Sequence, residues 1–152
     1  MSDLQFIVKG KSESATKLVT TTREFEVVVD EPEALGGKDE AANPVEYILI
    51  GLAGCVNVVA HNIANEIGFE IDSLEIETSG NLNPSKFLGI SDDQRAGFKD
   101  INVKLFLEAN ATDLQLNNWL SQINKRCPVK DNLFAATPVT LSLKSNQLAV
   151  FG

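Results

Sequence analysis

The segment from Asn43 to Gly68 constrains the fold more than any other, because it reads as a helix with a marked start, a marked stop and almost no polar face. Asn43 can cap it, Pro44 suits the first helical position, and Glu46, three residues after the cap, can close a capping box. Gly68 stops it. A helix apolar on nearly every side must be buried, so the rest of the chain is expected to pack around it. Small residues at Gly51, Ala53, Gly54, Ala60 and Ala64 leave room for a second backbone, either another helix or the same helix of a partner subunit. The apolar stretch Tyr47 to Ala60 is interrupted by Asn57 and followed by His61 and Asn62, short of the ~20 residues of a membrane span.

Strands are expected on both sides of this helix. Leu4–Val8 and Phe25–Val29 are short, β-branched and partly alternating, with Lys17–Thr21 placed to pair with one or both. Asp30-Glu31-Pro32 closes that set, and Gly36-Gly37-Lys38-Asp39 has turn chemistry. Beyond the helix, Leu74–Thr78 and Ile101–Leu107 alternate as half-buried strands, joined by a long irregular segment over 81–97 that suggests a functional or mobile loop. Thr112 and Gln115 form a second capping box, opening a helix whose Leu116, Trp119, Leu120 and Ile123 recur at helical spacing. That helix ends near Arg126. Cys127-Pro128 then starts a short helix toward Phe134, and Val139–Leu143 is the last expected strand. This order predicts one α+β domain over 1–152, with helices on one side of a mainly antiparallel sheet.

Charge and cysteine usage narrow the function. With 21 acidic against 13 basic residues and a net charge of −8, the chain would repel nucleic acid and anionic membranes, so neither is an expected partner. The N-terminus lacks the basic and apolar regions of a signal peptide, which points to the cytoplasm. Thiols stay reduced there, so Cys55 and Cys127 read as two thiols rather than a permanent cross-link. One histidine, His61, and no CxxC or HxxxH spacing leave no metal set, and no cofactor is expected.

Cys127, at a helix start and beside Lys125 and Arg126, has a stronger case for thiolate character than Cys55, which sits mid-helix between Gly54 and Val56. An inert capping role for Cys127 and core filling by Cys55 are the alternatives. A reactive Cys55 would need a nearby cation, and the arginines are Arg23, Arg95 and Arg126. Glu46 could orient one, or could serve only its cap. At ~1.5 Å and ~100° per residue, Glu46 lies roughly 13–14 Å along the axis from Cys55 and on the opposite face. If both serve one site, either the helix is broken or the carboxylate comes from a second subunit.

The residues Asp30–Gly37, Asn43–Tyr47 through Leu52–Cys55, and Arg126–Val129 resemble the OsmC/Ohr family, more closely its OsmC-like branch, and Leu88-Gly89 with Gly97-Phe98 resemble that branch's long loop. The resemblance runs from about Glu24 to Val139. It implies an intertwined α+β homodimer with the sheet wrapped around central helices, and a thiol-dependent peroxidase that reduces organic hydroperoxides. On that pattern Cys55 is the peroxidatic thiol, Cys127 the resolving one, and a dithiol of lipoyl type the reductant. Two positions depart from the family: Val45 stands where its members carry the arginine-pairing glutamate, one residue before Glu46, and no arginine lies within 11–22. Arg23 and Glu46 are therefore the candidate activators by nearness. A small-molecule-binding or redox-sensing protein on the same scaffold is the other reading.

Overall fold

The computed structural model describes residues 1–144, which form two antiparallel sheets and three α-helices. In the first sheet, β1 (Lys9–Ser12), β2 (Leu18–Thr22) and β3 (Phe25–Val29) pair in sequence order. The second is a long hairpin of β4 (Ile71–Asn81) and β5 (Asp100–Ala109). After β3 comes α1 (Pro44–Ile67), which packs on β4 and is followed after the hairpin by α2 (Asp113–Arg126) and α3 (Pro128–Phe134), both packed on it. The expected single sheet is thus divided within one chain, although the α+β class and the antiparallel pairing hold.

Both expected capping boxes form. Asn43 accepts from the Glu46 amide at 2.9 Å while the Glu46 carboxylate takes the Asn43 N–H at 2.8 Å, and Gly68 ends α1 in the left-handed conformation. Thr112 and Gln115 repeat the arrangement at α2. The core is the α1 stripe Leu52, Val56, Ala60, Ile63 and Ala64 against Phe69, Trp119, Ile123 and Cys127. A buried hydrogen bond of 2.8 Å from Trp119 Nε1 to the Ala60 carbonyl ties α2 to α1, so the indole's polar edge is satisfied where its ring is buried. At 24 residues, with an 18-residue window of mean hydropathy 1.6, α1 does reach the length and composition of a membrane span, which corrects the shorter length read from the apolar run. Among the described residues only one stripe of it is covered, however, and Ile48, Ile50 and Val58 remain exposed.

Two expected strands do not form. Register places Lys9 opposite Thr21 and so Val8 at the last residue of β2, leaving Leu4–Ile7 past its end toward the turn at Arg23. Only the Thr22 hydroxyl reaches them, donating to the Ile7 carbonyl at 3.1 Å. Among the described residues the alternating segment Val139–Leu143 likewise has no paired edge, and Val139, Leu141 and Leu143 are exposed. Alternation specifies which face a strand buries but cannot supply the neighbour it pairs with.

The turn after β3 is held by Asp30. Its carboxylate is buried and accepts from the amides of Lys38 at 3.1 Å and Glu40 at 3.2 Å. Gly37 is required in this turn, because a Cβ there would stand 1.7 Å from the Glu31 carbonyl oxygen. Burial works to raise the Asp30 pKa, but the Glu31 and Glu40 amides, the Thr16 hydroxyl and the Lys38 amide outweigh it and hold the carboxyl at about 2. A folded pKa below the unfolded one means the stabilisation is present above pH ~4 and is lost as pH falls through about 2. Amide exchange of Lys38 and Glu40 is therefore expected to accelerate over that window, and Asp30→Asn to flatten the dependence. An unchanged profile in the variant would show that Asp30 does not hold the turn.

Candidate active site

The fold brings together two cysteines 72 positions apart in sequence, with their sulfurs 3.1 Å apart. Cys55 occupies the middle of α1, and Cys127 is both the last cap of α2 and the first cap of α3. The change of direction at Cys127, with φ −77° and ψ 109°, breaks the helical path and turns its side chain onto α1. Its Sγ accepts from the Lys130 amide at 3.5 Å. Both thiols are free, Cys127 fully buried and Cys55 partly accessible.

Electrostatics do not make Cys55 a ready thiolate in one chain. Burial pushes its pKa up, and so does the adjoining Cys127 sulfur, while the Val129 N–H lowers it in part. Among the described residues no lysine or arginine side chain is hydrogen-bonded to either sulfur. Arg126, beside Cys127 in sequence, forms a two-pronged ion pair with Glu66 at 2.6 and 2.8 Å. Arg23 lies in the β2–β3 turn at φ 53° and stacks over Phe25, 4.9 Å from the ring centroid. Glu46 is held in the α1 cap, and α1 is continuous from Pro44 to Ile67, so the axial separation of roughly 13–14 Å from Cys55 stands. The fold of one chain therefore joins the two cysteines and joins neither Glu46 nor Arg23 to them.

A cleft of about 910 Å³ is floored by Leu52 and Val56 of α1 and walled by Ile101 and Val103 of β5 and Trp119 and Ile123 of α2, and neither cysteine lines it. Lys130, whose amide touches Cys127, borders it. Such a cleft offers an apolar organic molecule a place that shares Lys130 with the Cys127 cap. Arg95, Gly97 and Phe98 from the long β4–β5 connection form part of its rim, which gives the loop singled out in the sequence a position. Among the described residues no group of three metal-ligating side chains occurs.

Sequence reasoning missed the Glu66–Arg126 pair and the Val129 amide at Cys55. The first joins helices 60 residues apart and carries no local signal. The second is a backbone group, identical at every position except proline.

A family model described as OsmC-like protein matches residues 37–142. Among solved structures, an OsmC-like protein from Mycoplasma pneumoniae superposes with a TM-score of 0.76 at 18% identity, covering 89% of this chain and 91% of that one. An organic hydroperoxide resistance protein OsmC from Legionella pneumophila gives 0.62 at 18%, covering 88% and 91%, and one from Elizabethkingia anophelis gives 0.63 at 13%, covering 89% and 91%. At these identities the likeness is one of fold. Among curated proteins no sequence matches.

Proposed function

Because the chain belongs to the OsmC-like protein family, we propose that it is a thiol-dependent peroxidase in which Cys55 reduces an organic hydroperoxide and Cys127 resolves the product. The observation that carries this reading is the pair of free sulfurs 3.1 Å apart. The Cys55 thiolate attacks the terminal peroxide oxygen; the O–O bond breaks, an alcohol leaves after taking a proton, and Cys55 becomes a sulfenic acid. Cys127 then displaces water to form the disulfide. A dithiol of lipoyl type, acting in a reducing compartment such as the cytoplasm, returns both thiols.

The active unit on this reading is an intertwined homodimer. Exposed Leu4, Phe6, Ile7 and Val8, the unpaired Val139–Leu143, and the open side of α1 are apolar surfaces that a second copy would cover. A second copy would also be the source of a cation for Cys55.

The test is intact mass after one equivalent of cumene hydroperoxide. Loss of two hydrogen atoms at the rate of peroxide consumption is the expected result. The raised Cys55 pKa favours a second reading, a redox-sensing or small-molecule-binding protein on this scaffold. Thiols left unmodified while a small thiol at equal concentration is consumed would replace the peroxidase with that reading.

A further inference from the structure

A disulfide requires the two sulfurs to close from 3.1 Å to about 2.05 Å. Cys127 rides on the end of α2, so the freedom of that end determines how often the sulfurs meet. The buried Trp119–Ala60 hydrogen bond fixes α2 seven residues before Arg126, roughly 10 Å back along the axis. A tilt of only about 5–6° about that point would carry the helix end ~1 Å, the whole distance the sulfurs have to close. Apolar packing of Ile123 resists such a tilt without direction, whereas a two-pronged guanidinium–carboxylate contact fixes both position and orientation.

That contact exists one residue before the thiol: Arg126 grips Glu66 in the last turn of α1, with Nη1–Oε2 2.6 Å and Nη2–Oε1 2.8 Å. Its side chains are 44% and 53% exposed, so it adds little to overall stability, and a role in stability does not account for it. We infer that Glu66 and Arg126 are positioning residues that clamp the α2–α3 junction to α1 and hold Cys127 at bonding range of Cys55. Linkage makes the effect reciprocal: whatever the clamp adds to disulfide formation, the disulfide returns to the clamp. The inference rests on the dithiol part of the proposed function and is independent of which oxidant closes the bond.

The full-length protein equilibrated in dithiothreitol redox buffers, with the disulfide fraction read by intact mass, tests it. Arg126→Gln and Glu66→Gln are each expected to lower the disulfide equilibrium constant about two- to fivefold with the melting temperature nearly unchanged. The exchanged pair, Glu66→Arg with Arg126→Glu, restores it, and Arg126→Lys restores it in part because the charge remains but the fork is lost. Raising salt from about 0.05 to about 1 M lowers the wild-type constant and leaves that of Arg126→Gln flat. Constants equal to wild type in both single variants, or a loss the exchanged pair does not recover, overturn the clamp. A wild type oxidised by diamide but untouched by hydroperoxide removes the peroxidase reading and leaves this inference standing, whereas a wild type that forms no internal disulfide with either removes both.

Discussion

Cys55→Ser is expected to reduce hydroperoxide turnover by at least about a thousandfold, while Cys127→Ser allows a single oxidation and then stalls. Access assigns the roles: Cys55 is partly open to solvent and Cys127 is 1% exposed, so only the former can meet a peroxide before the sulfurs have paired. Serine at 55 keeps the volume but removes the nucleophile, and the buried Cys127 cannot substitute. In Cys127→Ser the fold should survive, because serine is a better N-cap than cysteine for α3 and the Lys130 amide keeps an acceptor. Cys55 then accumulates one added oxygen atom, or a mixed product with any thiol supplied, and steady-state turnover collapses. Intact mass and a coupled peroxide assay on both variants read this directly. Undiminished turnover in Cys55→Ser would reverse the assignment, and full steady-state activity in Cys127→Ser would show that resolution does not need the internal partner.

How much of this was legible in the chain depended on whether a feature is local. The helices were, because their signals lie within a turn of their ends: Asn43 with Glu46, Thr112 with Gln115, and Gly68 all act as the sequence indicates. The strand ends were less so. Leu4–Val8 and Val139–Leu143 have strand composition, yet pairing is decided by a register set elsewhere, and neither finds an edge among the described residues. For the site, physical reading alone favoured an inert Cys55, since a mid-helix cysteine usually fills a core; the family motifs singled it out. The meeting of Cys55 with Cys127 and of Glu66 with Arg126 depends on how α2 crosses α1, which no spacing in the sequence encodes. Arg126, read from its position as a cation for Cys127, is instead held by Glu66.

Glu46 leads to the second large effect, on the proposed two-subunit site. Because α1 is unbroken, a carboxylate at 46 and a thiol at 55 that serve one site must belong to different copies. The surfaces for such an assembly are present: Ile50 and Val58 are exposed, and at Gly51 and Gly54 an added Cβ would meet no described residue within 4 Å. Glu46→Gln removes the charge but keeps the capping box, since glutamine closes it at Gln115, so any loss of activity is not a loss of helix. The Glu46→Gln protein is expected to fall at least about tenfold in turnover, Cys55→Ser to be inactive, and an exchanged mixture to recover about a quarter of wild-type activity, because half the dimers then hold one complete site. Sedimentation should find the dimer at micromolar concentration. A mixture no more active than its Glu46→Gln share would place Glu46 outside the thiol site and confine it to its cap. A monomer with full activity would require Cys55 to be activated within one chain, where among the described residues the one influence opposing its raised pKa is the Val129 amide.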